Sequence, residues 1–532
     1  MASVVHPSRE FQRIPSAPAG RAAAAPAAAP DPGQTYLRLA MVICLYALPV
    51  LATVQLDVDY DAWWHLRVGQ WVVEHRAVPT NDPFSVPGHD KPWIAYSWLF
   101  EVVLYGLYQA FGLCGVIVFR CGLSLAVTAA LHRFVAKREP RFLHAVGLTG
   151  LAVLGVAMLF QERPWLFTVL FSVLTLDAVL DLRAGRRGLT FWLLPAAFAL
   201  WANTHIQFVY GLMILGLGCA APVLDRWRGC EPEGDGAGRL WSRDWRGLVG
   251  LTAACFLATL ATPYHVHLYR VIVEYATQPG PYRFINELKA LEFRDVCSWV
   301  MLAFVGAAAF ALGRRPRQGY FDLILLAAGA FLSFRMRRDV WVVIVAALYV
   351  LSTRPRPAVL PDQRFGWSAW RAAVVGAGVV ALIFLAATLR HVTNANMERE
   401  AAKLFPVAAA KVVAENGYPG PLYNDFNWGG YLIWALPEYP VAIDGRTNLH
   451  GDERILRFGR TWAGVPGWHD DPDLAAAAVI IAAADAPLAA LLLHDERFRR
   501  VHEDPVAWVF VSRAAPPTPT QGTDAPRSVA GR

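Results

Sequence analysis

Residues 37–67, LRLAMVICLYALPVLATVQLDVDYDAWWHLR, decide the fold. The first part, 37–55, is apolar apart from Arg38, Thr53 and Gln55. It is long enough to cross a hydrocarbon core as a helix, which takes roughly twenty residues. The second part sets Asp57, Asp59 and Asp61 on alternate positions, followed by the paired rings of Trp63 and Trp64. An apolar helix that runs into acidic and aromatic residues reads as a span delivered to a membrane–water interface, where amphipathic rings anchor.

Similar apolar runs recur at 112–131, 142–160, 164–182, 189–202, 206–223, 247–262, 297–313, 319–334, 339–352 and 369–389. The sequence therefore predicts a mainly α polytopic membrane bundle of about eleven transmembrane helices. Composition agrees: 55% of residues are hydrophobic and 17% charged, whereas soluble domains are about one quarter charged. The net charge of +7 sits in short clusters between apolar runs, not on one basic face, and this excludes a nucleic-acid partner. Of the 7 cysteines, Cys44, Cys114, Cys121, Cys219 and Cys255 lie in or beside apolar segments, and no CxxC occurs, so no disulfide frame or metal knot is expected.

Orientation follows from the Arg/Lys clusters. With Arg13 and Arg21 cytoplasmic, alternate connections carry Arg133/Lys137/Arg138/Arg141, Arg183/Arg186/Arg187, Arg226/Arg228/Arg239/Arg243/Arg246, Arg314/Arg315/Arg317 and Arg354/Arg356. That is the positive-inside pattern of a multi-pass cytoplasmic (inner) membrane protein. Arg335, Arg337 and Arg338 break it from an outer connection. Residues 1–35 and 514–532, rich in Ala, Pro, Gly and Thr, are expected to be disordered. Residues 36–390 form the membrane domain, with outer loops 56–111 and 263–296. Residues 391–513 read as an extracytoplasmic α/β domain with strands at Pro421–Tyr423, Val441–Ile443, Ala478–Ile481 and Ala507–Val511. Asp177 and Asp181 are expected to pair with Arg183.

Ionisable residues collect at the outer ends of the spans: the Asp57–Asp61 run, Glu162-Arg163-Pro164, Asn203-Thr-His205, Glu287 and Arg335–Asp339. Charged groups at membrane depth are costly and mark sites or pathways. Clustered carboxylates suit Mg²⁺ or Mn²⁺, and arginine forks suit a lipid phosphate.

The stretch Asp61-Ala-Trp-Trp-His65-Leu-Arg67, with Glu74-His75 and Asp82-Pro83-Phe84-Ser85 after it, resembles the first outer loop of the catalytic subunit of oligosaccharyltransferases, which are GT-C membrane glycosyltransferases. Asn427-Trp428-Gly429-Gly430-Tyr431-Leu-Ile-Trp434, followed by Asp444-Gly445-Arg446-Thr447, is similar to that family's Trp-Trp-Asp-Tyr-Gly segment and the strand after it. The resemblance implies a GT-C-like helix bundle that passes a sugar from a polyprenyl-(di)phosphate donor to an acceptor on the outer face, with inversion. It assigns catalysis to Asp61 and Glu162, a divalent cation to Asp61, Glu162 and Glu287, and the donor phosphate to Arg335, Arg337 and Arg338. Acceptor or substrate contacts fall to Asp59, Trp64, His65, Arg67, Asn203, His205, Trp428, Tyr431, Asp444 and Arg446. A metal-free variant stays open, because arginines can stabilise phosphate alone.

The chain departs from the family in Ala62, where the family has Pro, and in Gly429-Gly430, where it has the Asp that contacts an acceptor sequon. The acceptor is therefore left open among glycan, lipid and protein. Two other readings use the same outer cavity: a flippase or transporter of lipid-linked sugars, and a catalytically altered GT-C-like protein that binds or assembles glycans.

Overall fold

A computed structural model describes residues 32–514 except 90, 230–244, 279, 281, 283, 284, 316, 317 and 354–363. The expected disordered ends lie almost wholly outside the described residues, as do Arg13, Arg21, Arg239, Arg243, Arg317, Arg354 and Arg356. Residues 32–35, assigned to the N-terminal tail, already belong to the first helix.

Every predicted span is helical. In chain order the helices are α1 (Pro32–Thr53), α2 (Ala62–His75), α3 (Trp98–Phe111), α4 (Cys114–Arg138), α5 (Phe142–Val156), α6 (Trp165–Arg183), α7 (Leu189–Thr204), α8 (Phe208–Trp227), α9 (Trp245–Ala258), α10 (His267–Thr277), α11 (Val296–Gly313), α12 (Tyr320–Arg335), α13 (Val340–Ser352) and α14 (Ala369–Leu389). Seven of them, α1, α4, α5 with its 3₁₀ extension, α6, α8, α11 and α14, are long and apolar enough to cross a membrane. The chain is a multi-pass membrane protein. Helices α7, α9, α12 and α13 have 13 to 16 residues. α13 is buried along almost its whole length against α5, α11 and α12, so protein rather than lipid encloses it.

Helices α2 and α3 lie in the first long loop and pack on each other. After α14 come α15 (Asn394–Leu404), α16 (Val407–Asn416), α17 (Gly429–Ala435) and α18 (Thr447–Trp462), which bends at Gly451 (φ 74°). A sheet of order β1-β2-β4-β3 joins them: β1 (Leu422–Asn424) pairs parallel with β2 (Val479–Ala483), and β4 (Ala507–Ser512) lies antiparallel between β2 and β3 (Phe498–Glu503). Val441–Ile443 is not a strand of this sheet. Val441 instead bridges to the first loop, donating to the Phe84 carbonyl (3.1 Å) and accepting from Val86 (3.0 Å). Strand β3 escapes the sequence pattern because Arg499, Arg500 and His502 interrupt its apolar residues on an edge position.

One hydrophobic core runs from Val50, Trp64, Phe100 and Val116 into Phe405, Tyr431, Val479 and Val509. The first loop and the C-terminal unit are therefore packed as one layer over one end of the bundle. At the other end Asp177 pairs with Arg133, Lys137 and Arg138, and Asp181 with Lys137 and Arg186. The Arg183 guanidinium, expected to meet these aspartates, lies over the Phe321 ring instead (4.5 Å).

Candidate active site

The acidic run after α1 is held by an arginine from the second turn of α4. Arg120, 3% exposed, donates to the carbonyls of Thr53 (2.6 Å), Gln55 (2.5 Å) and Asp57 (2.9 Å). Its Nη1 also reaches Glu162 Oε2 at 3.1 Å. Glu162 is buried, and its other oxygen accepts from the Asp59 backbone N–H at 2.7 Å. Arg120 thus gathers the carbonyls from the last residue of α1 into the acidic loop, while Arg390 takes those of Leu51 and Val54, and together they fix the direction in which Asp59 and Asp61 leave the helix.

Arg163, in the turn before α6, is the centre of the site. Its Nη1 bonds to Asp61 Oδ2, its Nη2 lies 2.7 Å from Asp59 Oδ1, and Glu287 Oε1 lies 3.8 Å from Nη2. Its Nε is buried without a hydrogen-bond partner. Burial pushes the Asp59 carboxyl up to about 7; the Arg163 guanidinium opposes the rise, and Asp61, Glu162 and Glu287 add to it. Burial works against the charged form of Arg163, but Asp59, Asp61 and Glu287 outweigh it and hold the guanidinium well above its ordinary value.

The C-terminal segment closes over this loop. A Cβ added at Gly445 would stand 2.3 Å from Asp61 Oδ1, and one at Gly430 would stand 3.0 Å from the Tyr60 carbonyl. Close approach of backbone to the acidic loop is the reason for glycine at both places. Arg446 locks the contact: Nη1 bonds to Asp82 (2.6 Å), while Nε and Nη2 grip Asp444 (2.8 and 2.7 Å). His450 Nε2 lies 3.2 Å from Asp444. Burial alone would raise Asp444, but Arg446 and His450 hold it well below the usual carboxylate range.

A cavity of about 690 Å³ opens between these elements. Asp59, Asp61, Trp64, His65, His205, Glu287, Arg335, Arg338 and Arg446 line it together with Arg163, Asp425, Asn427 and Thr447. That volume lies in the range of small-molecule sites. Arg338 faces it with Nε buried and unpartnered, over the Trp165 ring at 5.8 Å, and Arg335 lies over Tyr282 at 5.3 Å. His65 Nδ1 meets Glu101 at 3.0 Å. Burial pushes the Glu101 carboxyl up to about 8 and holds the His65 imidazole well below its usual value. His205 bonds to Thr168 at 2.7 Å.

Other residues singled out in the sequence lie away from the cavity, each with a structural partner. Glu162 belongs to the Arg120 network. Arg67 bonds to Gln70 (2.8 Å), and Arg337 faces Asp295 (3.5 Å). Asn203 ties α3, α7 and the end of α9 through Trp98, Ala199 and Ala261. Trp428 donates to the Leu404 carbonyl (2.9 Å), Tyr431 packs on Trp63 and Phe405, and Asp444 is sealed behind Arg446. The residues that sequence reasoning passed over are Arg120, Arg163 as a hub, and Asp425. Arg120 carried a readable signal, an arginine inside an apolar span; Arg163 and Asp425 read as ordinary loop charges.

The expected cation ligands divide between two arginines. Glu162 turns to Arg120, while Asp61 and Glu287 turn to Arg163. Among the described residues no group of three or more His, Cys, Asp and Glu side chains is disposed to hold a metal ion.

No family model and no curated protein matches the sequence. Among solved structures, the chain is similar to the apo oligosaccharyltransferase of Archaeoglobus fulgidus, with a TM-score of 0.51 and 10% identity over 85% of this chain and 70% of that one. It is also similar to ArnT from Cupriavidus metallidurans, both bound to undecaprenyl phosphate (TM-score 0.45, 15% identity, 91% of this chain and 99% of that one) and in the apo state (0.44, 16%, 90% and 97%). The likeness to the oligosaccharyltransferase is one of fold: a polytopic helix bundle followed by a small α/β unit.

Proposed function

We propose that the protein is an inverting membrane glycosyltransferase that moves a sugar from a polyprenyl-(di)phosphate carrier to an acceptor on the outer face of the cytoplasmic membrane. One observation carries this reading: a single cavity is lined by the Asp59–Asp61–Arg163 cluster together with Arg335 and Arg338. A transfer from a lipid phosphate needs a carboxylate at the attacking atom and fixed positive charge at the leaving one.

In the step proposed, an acceptor hydroxyl attacks the anomeric carbon and its proton passes to Asp61. Oδ2 of that carboxylate is engaged by Arg163, and Oδ1 has no hydrogen-bond partner among the described residues. The bond from the anomeric carbon to the phosphate oxygen breaks, and its electron pair stays on the phosphate. Arg338, with its unpartnered Nε, and Arg335 receive that charge. Asp425, Asn427 and Thr447, which line the cavity from the C-terminal unit, supply polar groups for the acceptor.

The test is transfer of radiolabelled sugar from a polyprenyl-linked donor by purified protein. Asp61→Ala should lose about 10²–10⁴ of the rate. Transfer by that variant at the wild-type rate would sink the assignment.

A further inference from the structure

We infer that Arg163 is the resident cation of the acidic cluster, occupying the position a divalent ion would need and making the protein independent of added metal. The inference rests on the proposed transfer site but not on its activity.

Three carboxylates, Asp59, Asp61 and Glu287, come from two different outer loops and point at one guanidinium. Acids that gather from distant segments ordinarily do so around a cation, because otherwise their mutual repulsion opens the loop. Here that cation is covalently part of the chain. Its fork spans two carboxylates at once, Nη1 on Asp61 and Nη2 on Asp59, a geometry that a planar guanidinium has and a point charge lacks. The side chain is 13% exposed, and it is braced against Trp165, whose ring lies 5.4 Å from its Cζ. The fourth acid of the region, Glu162, is neutralised separately by Arg120. A divalent ion entering between Asp59 and Asp61 would have to displace the guanidinium or sit in contact with a like charge. The same guanidinium keeps Asp61 aimed at the cavity, so Arg163 acts as a positioning residue for the carboxylate.

The experiment is a titration of purified wild-type protein and Arg163→Ala with Mn²⁺, read by electron paramagnetic resonance of the free ion. Wild type should leave the free-ion signal unchanged. Arg163→Ala, which leaves Asp59, Asp61 and Glu287 around an open space, should take up about one ion per chain, and Asp61→Asn in that background should lose the uptake. Transfer by wild type should be the same in EDTA as in Mn²⁺, while Arg163→Ala should lose about 10²-fold in EDTA and regain part of it with Mn²⁺.

Stoichiometric uptake of Mn²⁺ by wild type, abolished by Asp61→Asn, would overturn the inference. If Arg163→Ala does not fold, judged by thermal unfolding, the wild-type titration decides alone. If the protein transfers no sugar under any condition, the proposed function fails while the Mn²⁺ titration still decides the role of Arg163.

Discussion

Replacing Gly445 by alanine tests whether the closure of the C-terminal segment on the acidic loop sets the chemistry. The added Cβ would stand 2.3 Å from Asp61 Oδ1, 3.1 Å from Cγ and 3.4 Å from Oδ2. An ordinary contact begins near 3.4 Å, so the carboxylate must withdraw by about 1 Å. Gly445 does not have a positive φ, so alanine fits its backbone, and the three nearest atoms its Cβ would meet all belong to Asp61. Withdrawal loosens the bond to Arg163 and moves the proton acceptor off the attacking atom. Misplacement on this scale costs about 10²-fold in kcat/KM, or roughly 2.7 kcal/mol of barrier.

The assay is sugar transfer from the polyprenyl donor, with Gly216→Ala as a control, since nothing lies within 4 Å of a Cβ there. The diagnostic comparison is a double-mutant cycle. If the loss acts through the carboxylate, adding Gly445→Ala to Asp61→Ala should change the residual rate little. A full 10²-fold further loss in the Asp61→Ala background would refute the reasoning, as would wild-type kcat/KM for Gly445→Ala alone.

Arg446→Met should lower stability by about 3–5 kcal/mol, because it leaves Asp82 and Asp444 buried without their cation. Thermal unfolding in detergent reads this, and an unchanged Tm would contradict the role of Arg446 as the lock between loop and C-terminal unit. Arg120→Met frees the carbonyls of Thr53, Gln55 and Asp57 together with Glu162. Hydrogen exchange should rise through residues 54–61, and uniform protection there would argue against the pinning. Asp59 has a raised carboxyl in the folded state, so the folded protein binds that proton more tightly than the unfolded chain. Its contribution therefore falls as pH rises from about 4, the ordinary value, to about 7, and Asp59→Asn should flatten the Tm profile over that window. Asp444 has the opposite sign: its contribution is fully present above about 4 and is lost as pH falls below it, so Asp444→Asn should remove part of the acid sensitivity.

The difference between what was legible in the sequence and what was not follows from the range of the interactions. Spans were legible because burial in lipid demands a long unbroken apolar run, a local requirement, and each predicted run is a helix. Val441–Ile443 was misread because an apolar triplet records burial but not partner: its backbone pairs with Phe84 and Val86, more than 350 residues earlier. The arginines after α12 announced themselves by breaking the charge rule, yet that rule could not say that Arg338 faces the cavity while Arg337 turns to Asp295.

Arg163 was the least visible because its meaning lies entirely in the company it keeps. A single Glu-Arg-Pro turn has no period and no spacing, and the acids that define it come from 59, 61 and 287. The sequence displays Asp57, Asp59, Asp61, Glu162 and Glu287 at the predicted outer helix ends, and their grouping suggested a metal to balance them. In the structure two guanidiniums face them, Arg120 beside Asp57 and Glu162, and Arg163 beside Asp59, Asp61 and Glu287. Counting the acids does not say which arginine each one faces, because that pairing exists only in the folded chain.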